Sequence, residues 1–133
     1  MILKSFKLFE SIDSHKIHEI CNKYEIGNYS INEDRSIDVD GNVNLNSCKL
    51  SKLPIKFGRV NGDFDCRNNQ LTSLEGSPSH VGFDFYCNHN QLTSLEGAPS
   101  HVGFDFYCRN NQLTSRGCSK SCSWFLLSKQ SSL

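Results

Sequence analysis

Three cysteines recur at a fixed interval of 21 residues, at Cys66, Cys87 and Cys108. On adjacent layers of a stacked structure their thiols would lie about 5 Å apart, which is close enough to share a soft metal ion. No Cys-x-x-Cys motif and no histidine in step with them completes a ligand set. We therefore interpret the three thiols as small apolar side chains that fill an interior. We expect neither a metal nor a cofactor.

Two other groups have the residue types of a metal site but lack its spacing. Cys118 and Cys122 offer only two of the four ligands that a zinc knuckle needs. Residues 38–46 alternate Asp and Asn with other residues, as calcium-binding loops do, but the spacing is wrong for an EF-hand and no Glu closes the loop. We interpret residues 38–46 as the solvated outer face of strands.

Catalytic and bulk-charge signals are missing from the sequence. It contains no serine–histidine–acid arrangement, no paired catalytic carboxylates and no phosphate-cradling glycine loop, so we predict a protein that is not an enzyme. The formal net charge is zero, from 14 basic and 14 acidic residues, and gives no reason to expect nucleic acid or a membrane as partner. No apolar run reaches the ~18 residues of a membrane span, and Ile2-Leu3, followed by Lys4, is too short and too polar for a signal-peptide core. We expect a cytoplasmic location.

A block of 21 residues is repeated almost verbatim, first at 83–103 and again from Phe104. A fixed period of this size is typical of a solenoid, in which each unit stacks on the last. Counting back by 21 shows an earlier, diverged unit, so the units begin near Asn42, Asp63, Asp84 and Asp105. In each unit we expect a short strand and two leucines to point inward. Gly97 and Pro99 should shape a tight return without a helix.

One asparagine in each unit has a distinct predicted role. Asn69, Asn90 and Asn111 follow the strand at equivalent positions, and Cys48 occupies that position in the first unit. We expect each amide to bond the backbone of its own turn and of the next coil. The result would be a ladder of amides along the solenoid.

Residues 1–41 differ from the repeats and predict a helical cap followed by a hairpin. Ile17, Ile20, Cys21 and Tyr24 form an apolar stripe at helical spacing, with Asp13 or Ser14 as the cap. Residues 29–31 and 37–39 alternate polar and apolar side chains around a polar turn. We expect the helix to cover the first coil, since terminal repeats need caps.

The unit apolar-x-apolar-x-x-Asn-x-Leu-x-x-Leu resembles the leucine-rich repeat family. The resemblance covers residues 42–115 and is strongest to short repeats of bacteria, phages and large DNA viruses. Phe85 and Cys87 depart from the usual leucines. The resemblance implies an α+β solenoid: a right-handed coil with a short parallel sheet and an N-terminal helical cap. It also implies a viral, phage or bacterial source, and host cytoplasm if the source is viral.

In leucine-rich repeat proteins, which this chain resembles, the outward face of the strands is the binding surface. Two tyrosines among acids and arginines suit a protein interface. We therefore predict a non-enzymatic protein-binding or scaffold protein, whose partner is an unidentified protein. The alternative is a structural or relic array with no specific ligand. The candidate residues are Asp63, Asp65, Arg67, Asp84, Tyr86, Asn88, Asp105, Tyr107 and Arg109.

The repeat stops abruptly, and residues 116–133 form a non-repeat tail. Permitted codons for Arg116–Leu127, read one base later, encode Glu-Gly-Ala-Pro-Ser-His-Val-Val-Gly-Phe-Tyr, which nearly repeats residues 96–107. We infer that the tail is a frameshifted repeat, an inference that the gene sequence would test. An uncapped last coil exposes apolar surface and a sheet edge, so we also predict self-association through that coil.

Overall fold

The computed structural model describes residues 12–113. They form a β-solenoid of about three turns with parallel sheets and one short helix. We call residues 42–62 coil 1, residues 63–83 coil 2, residues 84–104 coil 3 and residues 105–113 the start of coil 4. The predicted tail, residues 116–133, lies outside the described residues, as do residues 1–11 of the predicted cap.

Helix α1 spans Ser14–Lys23. Asp13 caps its first turn, because the side chain accepts a hydrogen bond of 2.9 Å from the backbone N–H of Lys16. Ile17 and Cys21 are fully buried in the same apolar cluster as the coils, and two partly buried residues of the stripe, Ile20 and Tyr24, pack against it. The predicted helix and its inward stripe are thus confirmed.

A β-hairpin leads from the helix into the coils. Strand β1 (Tyr29–Ile31) pairs antiparallel with β2 (Ile37–Val39), as the alternation predicted. Strand β2 then starts a parallel sheet with β4 (Phe57–Val60), β6 (His80–Val81) and β8 (His101–Val102), which we call the return sheet. Within residues 12–113, no helix is long or apolar enough to cross a membrane.

The second parallel sheet, which we call the front sheet, contains the strands that the repeat predicted. It runs β3 (Val43–Asn44), β5 (Phe64–Asp65), β7 (Phe85–Tyr86) and β9 (Phe106–Tyr107). Each residue pairs with the residue 21 positions later, so the predicted period is confirmed.

The predicted short parallel sheet is present, and the return side adds a second sheet that the sequence did not predict. The return side forms its own parallel sheet, because each coil places a β-branched residue there against the core, with a polar side chain beside it; Val60 and Val81 are fully buried and Val102 partly. Val60 and Val81 point inward, and Arg59 and His80 precede them on the outer side. The repeated return is nonetheless free of helix, as expected, and Gly76 and Gly97 turn the chain with φ of +92° and +90°.

The interior of the coils is a continuous apolar stack. Phe64, Phe85 and Phe106 are fully buried and contact one another ring to ring, with centroids 5.6 and 5.0 Å apart. The inward leucines of each described coil surround them. The other buried apolar residues of the front strands and the following turns are Val43, Leu45, Leu50, Leu53, Cys66, Leu71, Leu74, Cys87, Leu92, Leu95 and Cys108.

The predicted asparagine ladder is present, with one correction. Asn90 donates to the carbonyl of Cys87 in its own turn at 3.1 Å, and to the carbonyl of Cys66 in the coil before it at 3.0 Å. Its Oδ1 accepts the N–H of Leu71, again in the preceding coil, at 2.9 Å. The side-chain amide of Asn90 therefore bonds the backbone of the preceding coil, whereas the sequence predicted a bond to the next coil.

Candidate functional site

The nine predicted residues lie along the outer side of the front sheet and form three rows that run along the solenoid. We call this surface the front face. The rows are Asp63, Asp84 and Asp105; then Asp65, Tyr86 and Tyr107; then Arg67, Asn88 and Arg109. The parallel register of the front strands aligns each row, because equivalent residues in adjacent coils pair directly.

The two tyrosines form a stacked column. The rings of Tyr86 and Tyr107 lie 4.9 Å apart between centroids and are inclined by only 5°. Each hydroxyl donates to a carboxylate two residues earlier, Tyr86 to Asp84 Oδ2 at 3.0 Å and Tyr107 to Asp105 Oδ2 at 3.1 Å. Stacking and hydrogen bonding together fix both rings.

Arg67 extends this column by one further layer. Its guanidinium lies over the ring of Tyr86, with Cζ 4.4 Å from the centroid. The same group holds Asp65 with two bonds, from Nε to Oδ1 at 3.0 Å and from a terminal nitrogen to Oδ2 at 2.7 Å. Because two bonds and a ring face fix the guanidinium, Arg67 is oriented much more firmly than a lone surface arginine.

The row of aspartates has a structural role that the sequence reasoning missed. Oδ1 of Asp63 accepts the backbone N–H of Asp84 at 2.9 Å, and Oδ1 of Asp84 accepts that of Asp105 at 2.8 Å. Asn42 does the same for Asp63 at 2.8 Å. These side chains therefore bind coil to coil and do more than keep the sheet soluble. The sequence did carry a sign of this row, because an Asp or Asn recurs every 21 residues at these positions.

The same correction applies within residues 38–46. Asp38 accepts the N–H of Arg59 at 2.9 Å, and Asp40 accepts the side-chain amide of Asn61 at 3.0 Å. Asn44 bonds the N–H of Asn46 at 3.0 Å, which closes a small local turn. This segment was predicted to be merely solvated, but most of its polar side chains form specific hydrogen bonds.

The electrostatic surroundings of the tyrosines favour their neutral form. The pKa of Tyr86 is raised to about 12, first by burial and then by its hydrogen bond to Asp84 and the nearby carboxylate charges. The pKa of Tyr107 is also raised, chiefly by its hydrogen bond to Asp105. Both phenols therefore keep their proton, and act as hydrogen-bond donors, to a higher pH than an ordinary tyrosine.

The third row contains a buried acceptor. Asn88 Oδ1 is the one buried side-chain oxygen or nitrogen without a hydrogen-bond partner in the part of the chain that the structure describes. Its counterpart in coil 1, Asn46, receives a bond of 3.0 Å from Asn68. Asn88 Oδ1 is therefore an acceptor that the fold leaves unused and that the surrounding residues cover.

The column of cysteines lies inside the solenoid, as the repeat predicted. Cys66, Cys87 and Cys108 are buried, and burial raises the pKa of the Cys66 and Cys87 thiols. Cys66 also donates a weak bond of 3.3 Å to the carbonyl of Tyr86. Among residues 12–113, no three His, Cys, Asp or Glu side chains come together in a metal-binding arrangement. The observed role of these thiols is packing.

Two further columns of stacked rings lie elsewhere on the solenoid, and sequence reasoning did not identify them as columns. His80 and His101 stack on the return sheet at 4.4 Å and 9°. Phe83 and Phe104 stack at the corner between the two sheets, at 5.1 Å and 3°. The signal was the recurrence of each ring after 21 residues, because the parallel register stacks any side chain that recurs at that spacing.

The chain was compared with protein-family models, with curated proteins and with solved structures, and none of the three comparisons gave a match. The resemblance to leucine-rich repeats therefore rests on the residue pattern alone. Function has to be argued from the geometry of the molecule itself.

Proposed function

We propose that this protein is a non-enzymatic binding module that recognises another protein through the front face. The observation that carries the proposal is the column formed by Arg67, Tyr86 and Tyr107. Its groups are stacked and are held by carboxylates of the same face. Tyrosine and arginine are the residue types most enriched among energetically dominant interface residues.

Rigidity is the physical reason that this column suits recognition. A flexible tyrosine or arginine loses side-chain entropy when a partner orders it, at a cost of roughly 0.5–1.5 kcal/mol for each side chain. Here the hydroxyls and the guanidinium are already fixed by the chain. A partner would then lose less of its binding free energy to ordering this surface.

The proposed architecture is a short leucine-rich-repeat-like solenoid, right-handed, with helix α1 as its N-terminal cap. Support comes from the buried leucines of the repeat and from the asparagine ladder. The aromatic, thiol-rich interior and the second parallel sheet are its own features. By the same resemblance we propose a viral, phage or bacterial source, and action in the cytoplasm.

The proposed partner is a protein because the chain has no excess of charge for nucleic acid or a membrane surface. Self-association through the last coil remains a prediction. Sedimentation over a range of concentrations would test it, and a monomer of constant mass would argue against it.

One observation favours the alternative, a structural array without a ligand. Asp63 and Asp84 of the front face bond the next coil, and Asp65 already pairs with Arg67. On this alternative the face exists to hold the coils together. The two functions differ in what happens when the tyrosines are removed.

Capture from a lysate of the source organism or its host separates the two. The full chain is compared with Tyr86→Ala/Tyr107→Ala and with the matched control His80→Ala/His101→Ala, which removes a stacked pair from the opposite sheet. We expect a protein that the wild type and the histidine variant retain and that the tyrosine variant loses.

Folding must be checked in parallel, because a misfolded variant would also lose its partner. Circular dichroism should show the same spectrum for all three proteins. Equal capture by all three would place binding elsewhere than on the tyrosines. Capture by none would favour the structural array.

A further inference from the structure

The corner beside the front face exposes two phenylalanines to solvent. Phe83 and Phe104 are the large hydrophobic side chains that the described part of the chain leaves most exposed, at 50% and 67% of their surface. Their rings stack on each other, so they present a continuous apolar strip and not two separate side chains. Apolar surface that recurs and stays exposed is typical of a binding site.

The fold does not require these phenylalanines. The residues 21 and 42 positions before Phe83 are Gly62 and Gly41, and coil 1 stacks on coil 2 without a side chain there. At Gly62 a Cβ would lie only 2.8 Å from the backbone oxygen of Gly41, so the first layers stack closely without any side chain at this position. The exposed rings are therefore an addition to the surface of the later coils.

The charge beside the phenylalanines is likewise not needed for stacking. Asn42 accepts the N–H of the next coil at 2.8 Å with a neutral amide, and Asp63 and Asp84 make the same bond with carboxylates. Neither Asp63 nor Asp84 forms an ion pair with a residue that the structure describes. Oδ2 of Asp84 also accepts the hydroxyl of Tyr86 at 3.0 Å, but this donor is neutral, so the negative charge of both carboxylates is left available to a cation from outside.

The chain itself shows which cation fits such a surface. The guanidinium of Arg67 lies against an aromatic ring and at the same time pairs with a carboxylate. Phe83 and Asp84 are consecutive residues that offer the same two chemical groups, and no cation of the described residues stacks on Phe83 or pairs with Asp84. A cationic side chain from a partner would gain both contacts there.

From these observations we propose that the strip formed by Phe83, Phe104, Asp63 and Asp84 binds an extended segment of a partner protein in which Lys or Arg lies beside an apolar side chain. The apolar side chain covers the phenyl rings, and the cation pairs with the carboxylates. The inference rests on the proposed function, since it names the chemistry of the partner.

The test uses the full chain and a fluorescent peptide of repeated Arg-Ser-Leu-Ser, which places Arg and Leu on one face of an extended strand. Binding is measured by anisotropy at low and at physiological ionic strength. Two control peptides replace Arg by Glu or Leu by Ser. We expect binding of the first peptide to exceed that of both controls by about tenfold, and to weaken with salt.

Two variants use residues that the chain already carries at equivalent positions, so that the fold is preserved. Phe83→Gly/Phe104→Gly and Asp63→Asn should each weaken binding, the first by about tenfold, and only the second should lower the salt dependence; Asp84 is left unchanged because it also accepts the hydroxyl of Tyr86. Unchanged thermal melts would show that both variants are folded. No preference for the cationic peptide, or equal affinity in the folded variants, would overturn the inference.

The same capture experiment distinguishes failure of this inference from failure of the proposed function. A partner captured from the lysate is tested against the same two variants. If it is lost with Tyr86→Ala/Tyr107→Ala but kept by both strip variants, protein binding through the front face stands and the cationic, apolar segment is rejected. If it is lost with the strip variants as well, the inference is supported.

Discussion

Coil 1 and coil 3 bury equivalent side chains but present different ones to solvent. Val43 in coil 1 and Phe85 in coil 3 point into the same apolar stack, and both are almost completely buried. Their outward neighbours are Asn44 and Tyr86, which share neither shape nor hydrogen bonding. Stacking of the coils thus requires apolar residues at the inward positions, whereas the residue type at the outward positions can vary. The outward residues that differ between coils are therefore the ones to examine for function.

The sharpest test of this comparison uses two adjacent residues. Phe85→Ala should lower the free energy of unfolding by about 3–5 kcal/mol, because it opens a cavity between two stacked rings. Tyr86→Ala should cost about 1 kcal/mol, since its ring is only half-buried. Urea unfolding of both variants measures the difference. Equal costs would mean that the outer column is as structural as the interior.

The asparagine ladder should be nearly as sensitive as the core. Asn90→Ala leaves the N–H of Leu71 and the carbonyls of Cys66 and Cys87 without this partner inside the solenoid. We expect a loss of roughly 3 kcal/mol by urea unfolding. The neighbouring exposed Gln91→Ala is the control, with a change below about 0.5 kcal/mol. A loss under about 1 kcal/mol for Asn90→Ala would show that water replaces the amide.

Close contact between coils gives a third, smaller effect. A Cβ at Gly82 would lie 2.1 Å from the backbone oxygen of Asn61, whereas a Cβ at Gly27 would meet nothing within 4 Å. Gly82→Ala should therefore cost about 2 kcal/mol or more, and Gly27→Ala should change stability by less than about 1 kcal/mol. Thermal melts of the pair check this. Similar melting temperatures would mean that the coils separate easily.

The smallest expected effect is a dependence of stability on pH that arises from Tyr86 in the stacked tyrosine column. The pKa of Tyr86 is about 12 in the folded protein against 10.0 for an ordinary tyrosine, so the folded state keeps a proton that the unfolded state releases. This contribution to stability is intact below pH 10 and is lost as the pH rises towards 12. Unfolding of the wild type and Tyr86→Phe over this range should show less alkaline loss in the variant. Parallel curves would contradict the raised pKa of Tyr86, which comes first from burial and then from the hydrogen bond to Asp84.

The sequence predicted the interior better than the surface, and the reason is physical. The period of 21 fixes the parallel register, so the buried positions of each coil followed from apolar residues such as Leu92 and Leu95. The hairpin could be predicted from its alternating polar and apolar residues, and helix α1 from its apolar stripe and its N-terminal capping residue.

Features that depend on contacts between coils were harder to predict. The return sheet was missed because its repeated strands, β6 and β8, each carry a single inward apolar residue, whereas each front strand is followed by a second inward residue that completes an alternating pattern. The bond from Asp63 to the next coil was missed because an outward acid looks solvated until its neighbour in the next layer is placed. The exposure of Phe83 likewise depends on where the corner of the coil falls.

Crosslinking from the two outer faces tests the central claim most directly. A photoreactive phenylalanine analogue replaces Tyr107 on the front sheet or, in the matched control, His101 on the return sheet, and the protein is irradiated in the cells that express it. Our account predicts a defined crosslinked protein from position 107 and none from position 101. Crosslinks of equal yield from both positions, or none from position 107, would contradict recognition through the front face.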